Sequence, residues 1–233
     1  MIFIVGYFNC GTTAIAKTLR EHPNIRLFSN DAKCEEKIIM QITDGLGLNV
    51  QYSPTNKFVD GGYNFNDAII NADIDISIKF REQLNKKIKD CNLIKNNKLF
   101  FAKGLLDKSY PTSKRILIIR KGNSYAIAGG HHNMKKKEIL DRAKFWNESM
   151  KYMSQTWGHD TRTLIIKYEN LCLDTQSVLK QLCTFLGIDF NKFNNTLDFK
   201  SRNYKFKNIN KELKKAIQNE TKKTMEAYNK WTY

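Results

Sequence analysis

The first twenty residues restrict the fold more than any other stretch. Ile2-Phe3-Ile4-Val5 is a short apolar run, largely β-branched, and Gly6 ends it, the pattern of a strand buried on both faces of a parallel sheet. From Thr13 the apolar spacing turns helical through Ile15 and Leu19, until His22-Pro23-Asn24 stops it. The chain therefore opens as strand, glycine loop and helix.

Similar apolar runs recur at Leu99-Phe100-Phe101-Ala102, at Arg115-Ile116-Leu117-Ile118-Ile119-Arg120 and at Thr163-Leu164-Ile165-Ile166-Lys167, and these are the other expected core strands. Ile139, Ala143, Trp146, Met150, Met153 and Trp157 recur at spacings of four and three, the apolar stripe of a long helix. A shorter helix runs from Val178 through Leu182 to Leu186 and closes at Gly187. Residues 35–42 and 213–228 also read as helices, the second strongly basic. Residues 45–63, and residues 74–88, where alternating Ile74, Ile76, Ile78 and Phe80 give way to helical spacing, carry no single assignment. Strands alternating with helices imply an α/β fold, a three-layer parallel sheet with helices on both faces. With no repeat and no low-complexity linker in 233 residues, one domain spanning 1–233 is expected.

Lys and Arg total 39 against 23 Asp and Glu, a formal net charge of +16, so an anionic partner is expected. The five cysteines are scattered without a C-x-x-C, which argues against a disulfide framework and a zinc site and for a reducing compartment. No run approaches the ~20 apolar residues of a membrane span, and the apolar start is too short for a signal peptide. A soluble cytoplasmic protein is the expectation.

Gly6-Tyr7-Phe8-Asn9-Cys10-Gly11-Thr12-Thr13 has the spacing of the phosphate loop G-x-x-x-x-G-K-[ST], with Thr12 in place of the lysine. Such a turn aims backbone N–H groups at one point before a helix N-terminus, and the two threonine hydroxyls add donors. Without the lysine that reaches β- and γ-phosphates, the loop suits a single 5′-phosphate group better than an ATP- or GTP-hydrolysing engine.

Downstream lie His22-Pro23-Asn24-Ile25, the run ending at Arg120, Lys167-Tyr168-Glu169-Asn170-Leu171, and Phe185-Leu186-Gly187-Ile188. In this order, and with the opening strand and its Gly11-Thr12-Thr13 end, these motifs resemble the sulfotransferases that use 3′-phosphoadenosine 5′-phosphosulfate (PAPS), with an arrangement most similar to the tyrosylprotein and carbohydrate types. The resemblance covers about residues 2–190 and implies the sulfotransferase form of the P-loop nucleoside-triphosphate-hydrolase-like fold. It implies PAPS as co-substrate, adenosine 3′,5′-bisphosphate as product, no metal, and a hydroxyl-bearing acceptor: a glycan, a peptide tyrosine or a small molecule. The basic balance suits an anionic glycan.

Carried onto this chain, the resemblance assigns Asn9, Cys10, Gly11, Thr12 and Thr13 to the 5′ end of the nucleotide, Arg120 to the 3′-phosphate and Tyr168 to nucleotide contact. It assigns residues 201–207, with Arg202 and Lys205, to a loop over the nucleotide. Glu35 or Glu36 takes the place of the general base. Lys103, after an apolar run expected to be a strand, takes the place of a lysine near the transferred sulfuryl group. His131 and His132 form a rival base. Two positions depart from the family: Asn9 stands where Lys or Arg is usual, and Ala128 where a serine follows the arginine by eight residues, which leaves Ser124, one turn earlier, to take that part. A catalytically degraded nucleotide-binding homologue and a P-loop small-molecule kinase are the alternative readings. A nucleic-acid binder is disfavoured, because no base-reading motif accompanies the basic helix.

Overall fold

The computed structural model describes residues 1–7, 9–28, 37–48, 73–128, 135–193 and 209–230. β1 (Ile2–Val5) forms where the apolar run stands. Phe3, Ile4 and Val5 are all fully buried, and since successive strand residues point to opposite faces, both faces of β1 are covered. The glycine loop leads into α1 (Thr12–Arg20). Then follow α2 (Lys37–Gly45), α3 (Ile74–Ile88), β2 (Leu93–Lys95), a 3-10 turn (Asn97–Phe101), α4 (Lys103–Ser109), β3 (Lys114–Ile119), α5 (Gly122–Ala126), α6 (Lys136–Thr156), β4 (Thr163–Lys167), α7 (Tyr168–Leu173), α8 (Thr175–Leu186), a second 3-10 turn (Phe190–Lys192) and α9 (Lys211–Lys230).

The described strands make one parallel sheet in the order β2-β1-β3-β4, flanked by helices. The register sets Ile4 beside Lys95 and Ile116, and Ile119 beside Lys167. Val5, Lys95, Ile119 and Lys167 therefore close the carboxyl edge of the sheet, where open α/β sheets bind ligands. Among the described residues no helix is long and apolar enough to cross a membrane.

Two expectations change. The run at residues 99–102 is not a strand: Asn97–Phe101 is a 3-10 turn, capped by the Asn96 side chain accepting the Lys98 N–H at 2.9 Å. Its backbone is satisfied without a ladder, Trp157 Nε1 donating to the Phe100 carbonyl at 3.0 Å. The strand is the three residues before it. The ambiguous stretch 74–88 is a helix because Asp73 caps it, accepting the Ile76 N–H at 2.7 Å, and because Ser77, Phe80, Leu84 and Ile88 make the buried face. The alternating isoleucines misled, since Ile74 and Ile78 face solvent.

At the amino edge, opposite the loop, Arg115 is buried with two carboxylates against it, Asp107 and, at 2.7 Å, Asp160. Lys103 Nζ reaches Asp107 at 2.6 Å and Asp160 at 3.2 Å, and Arg162 bonds the same pair at 2.9 and 3.0 Å. Burial pushes the Asp160 carboxyl up, but hydrogen bonds from Arg162 and the Lys103 charge more than offset it and hold the group well below the usual carboxylate range. The stabilisation from Asp160 is therefore complete above the unfolded carboxylate value of 3.8 and is lost progressively as pH falls below it. Urea unfolding should show the parent losing more stability than Asp160→Asn between about pH 6 and about pH 3. Equal losses would mean that the carboxylate draws nothing from its cationic neighbours.

Candidate functional site

The loop between β1 and α1 takes its shape from two left-handed residues, Asn9 (φ 58°) and Gly11 (φ 111°). Asparagine is among the few non-glycine types that visit this region readily, which gives Asn9 a backbone reason to stand where a cation is usual. Gly11 has no substitute, because a Cβ there would lie 2.4 Å from Cδ2 of Tyr168. The buried Thr12 hydroxyl donates to Asn97 Oδ1 at 2.9 Å. It is therefore used in tying the loop to the start of the 3-10 turn after β2 rather than aimed at a phosphate. Thr13 is half-buried on the first turn of α1. Burial pushes the Cys10 thiol up to about 12 against the pull of the Thr12 N–H and of the Lys95 and Arg120 charges. Cys10 thus stays protonated at neutral pH and serves as packing.

Arg120 follows the last residue of β3, and its backbone is gripped by buried side chains. Its N–H donates to the Tyr7 hydroxyl at 2.6 Å, and that hydroxyl donates back to the Arg120 carbonyl at 2.7 Å. Trp146 Nε1 donates to the same carbonyl at 2.8 Å and to the Tyr7 oxygen at 3.0 Å. Burial, foremost, holds the Tyr7 phenol well above its usual value, so its proton remains available for donation. Trp146 lies flat against Gly122, where a Cβ would come within 2.6 Å of its ring. The Arg120 guanidinium reaches the loop, Nη1 donating to the Asn9 carbonyl at 3.1 Å, and lies 4.8 Å from the Tyr168 ring centroid. Its Nε is buried and has no hydrogen-bond partner among the described residues.

Gly11, Arg120 and Tyr168, expected from sequence to share a nucleotide, thus meet at the carboxyl edge through the Tyr168 ring, which lies against both Gly11 and the Arg120 guanidinium. Ser124 lies buried on α5, one turn beyond Arg120, its N–H donating to Asn123 Oδ1 at 2.7 Å. Ala128 is buried too, and its carbonyl accepts Arg142 Nη1 at 2.5 Å. Lys103 is the misplaced expectation. With residues 99–102 a turn rather than a strand, it begins α4, and its ammonium is held by Asp107 and Asp160 at the opposite edge. Glu35, Glu36, His131, His132, Arg202 and Lys205 lie outside the described residues.

Two lysines outside the sequence expectation lie on β2 and the turn after it, near the loop. Lys95 ends β2 and is 1% exposed, close enough for its charge to act on Cys10. Lys98 is half-buried one residue past Asn97, the partner of Thr12. The signal was there in Leu93-Ile94-Lys95-Asn96-Asn97-Lys98, a strand too short to stand out, followed by a capping asparagine. His22 explains its own motif. Buried, it accepts the Asn24 N–H on Nδ1 at 3.2 Å and places Nε2 3.0 Å from the Asp189 carbonyl.

The edge combines a glycine turn before a helix with the Arg120 guanidinium and the buried Lys95, a donor set for an anion with several phosphate-like oxygens. Among the described residues no group of three His, Cys, Asp or Glu is placed to hold a metal ion.

Residues 2–192 match the family model described as "Sulfotransferase family". The fold is similar to the sulfotransferase domain of the Synechococcus PCC 7002 olefin synthase, with TM-score 0.54 and 18% identity over 100% of this chain and 95% of that one. It is similar also to the sulfotransferase domain of the curacin biosynthetic pathway (0.53, 16%, covering 97% of each). A sulfotransferase from Alicyclobacillus acidocaldarius aligns at 0.53 and 15%, over 94% of this chain and 89% of that one. No protein of curated function matches the sequence.

Tyr7→Phe removes one hydroxyl and leaves the Arg120 N–H without its acceptor, while the Trp146 indole keeps the Arg120 carbonyl. It should lower the unfolding free energy by about 1–3 kcal/mol in urea titration, the cost of one orphaned buried polar group. A change within error would show that the grip on Arg120 is dispensable.

Proposed function

Because this chain belongs to the sulfotransferase family, we propose that it moves a sulfuryl group from PAPS to a hydroxyl of an acceptor, the whole of residues 1–233 acting as one domain. The observation that carries the reading is the contact of the Gly11 loop, the Arg120 guanidinium and the Tyr168 ring at the carboxyl edge. The buried Nε of Arg120, without a partner among the described residues, fits an anion donor set. In this reading the N–H groups of residues 9–13 take the 5′ end of the nucleotide. Arg120, with Ser124 beside it, takes the 3′-phosphate, Tyr168 lies along the nucleotide, and Arg202 and Lys205 cover it.

PAPS supplies the sulfuryl group: the acceptor oxygen bonds to sulfur as the bond from sulfur to the bridging oxygen breaks, leaving adenosine 3′,5′-bisphosphate. The chain has to remove the acceptor proton and neutralise charge at the leaving oxygen. Glu35 or Glu36 accepts the proton. Lys98 and Lys95 supply the cations that Asn9 lacks, the part first expected of Lys103. The chain's net charge of +16 suits an anionic glycan as acceptor.

Calorimetric titration with adenosine 3′,5′-bisphosphate against ATP tests the donor assignment, and selective binding of the bisphosphate is expected. Arg120→Ala should weaken that binding roughly 10- to 100-fold, the weight of a charged hydrogen bond. No selective binding by the parent would defeat the reading. Lys98→Ala should keep the affinity and lower turnover by about 10²–10³, whereas Lys103→Ala should cost stability and leave turnover in place. The reverse pattern would return the catalytic cation to Lys103.

A further inference from the structure

The family match ends at residue 192, yet the helix beyond it reaches the nucleotide edge. Tyr228, near the end of α9, is 1% exposed, and its hydroxyl donates to Glu169 Oε2 at 2.6 Å. The other oxygen of that carboxylate accepts the N–H of Lys121 at 3.1 Å. Burial, and then the Glu169 charge and hydrogen bond, push the Tyr228 phenol well up, so it remains a donor. Its ring also lies 6.1 Å from that of Trp146 and 4.9 Å from the Lys167 ammonium.

The position of this carboxylate gives the contact its meaning. Glu169 directly follows Tyr168, whose ring lies against both Gly11 and the Arg120 guanidinium. The N–H it accepts belongs to the residue after Arg120. One buried carboxylate therefore sets the spacing between the chain on which Arg120 is carried and the chain on which Tyr168 is carried. A buried carboxylate is costly unless each oxygen finds a donor; the Lys121 backbone supplies one and Tyr228 the other. Tyr228 also touches Trp146, which bonds the Arg120 carbonyl.

We propose that Tyr228 and Glu169 are positioning residues for recognition of the nucleotide's 3′-phosphate, so that α9 is a working part of the donor site although it lies outside the family match. This rests on the donor reading above. Tyr228 touches no ligand. It acts by holding Glu169, and through it the Arg120–Lys121 backbone, in the geometry that aims the guanidinium.

The test uses the full chain and two probes, adenosine 3′,5′-bisphosphate and adenosine 5′-monophosphate, which differ by the 3′-phosphate. The parent should prefer the bisphosphate. Tyr228→Phe should reduce that preference by roughly tenfold and leave the affinity for the monophosphate unchanged. Glu169→Gln, whose amide oxygen still accepts the Lys121 N–H, should keep most of the preference that Glu169→Ala loses. Tyr110→Phe is the control, because it removes another buried hydroxyl, bonded to Asn85 Oδ1 at 2.8 Å away from the loop edge. It should lower the melting temperature and spare the preference. If Tyr228→Phe weakens both nucleotides equally, or neither, the positioning role falls and the donor reading stands. If the parent itself shows no preference for the bisphosphate, the donor reading fails and takes this inference with it.

Discussion

The Tyr7 hydroxyl accepts the N–H of a residue 113 positions away and donates to that residue's own carbonyl. Around this exchange the rest of the site is arranged. Tyr7 belongs to the loop after β1 and Arg120 to the end of β3, so one phenol fixes the distance between the turn that offers N–H groups and the arginine that offers a charged fork. Trp146 closes the arrangement from α6, and the close approach of its ring to Gly122 leaves no room for another residue there. All these groups are buried, so each bond acts in a medium where its absence would be costly.

Much of this was legible in the sequence, and the limits have physical reasons. β1, β3 and β4 announce themselves because strands buried on both faces must be nearly continuous apolar runs, and the loop's spacing follows from the need for glycine at a left-handed, crowded position. β2 was hidden because three residues ending in a lysine make no run. The louder aromatic sequence after it is a turn packed against Trp157. With that turn in place of a strand, Lys103 begins α4 and its ammonium meets Asp107 and Asp160. The pairing of Glu169 with Tyr228 spans 59 positions and leaves no local pattern at either residue.

The two departures from the family acquire different explanations. Asn9 sits in a backbone conformation that suits asparagine and offers its carbonyl to Arg120, so the arginine is anchored by the very residue that replaces a cation. At Ala128 the side chain is buried and the carbonyl is taken by Arg142, which closes the end of α5 against α6. Lys95, at the end of β2, is the cation whose charge acts on the loop at Cys10 together with Arg120.

The order of strands in the sheet has a bearing on how the protein is born. β1 is made before β2, β3 and β4, yet it lies between β2 and β3 and cannot complete its ladders until β3 has been added. At typical synthesis rates that interval is of the order of ten seconds, during which an apolar strand with two open edges hangs from the ribosome. Until its neighbours are made, the edges of β1 are open to pairing with another chain, and the glycine loop lacks the bond from Arg120 to the Asn9 carbonyl.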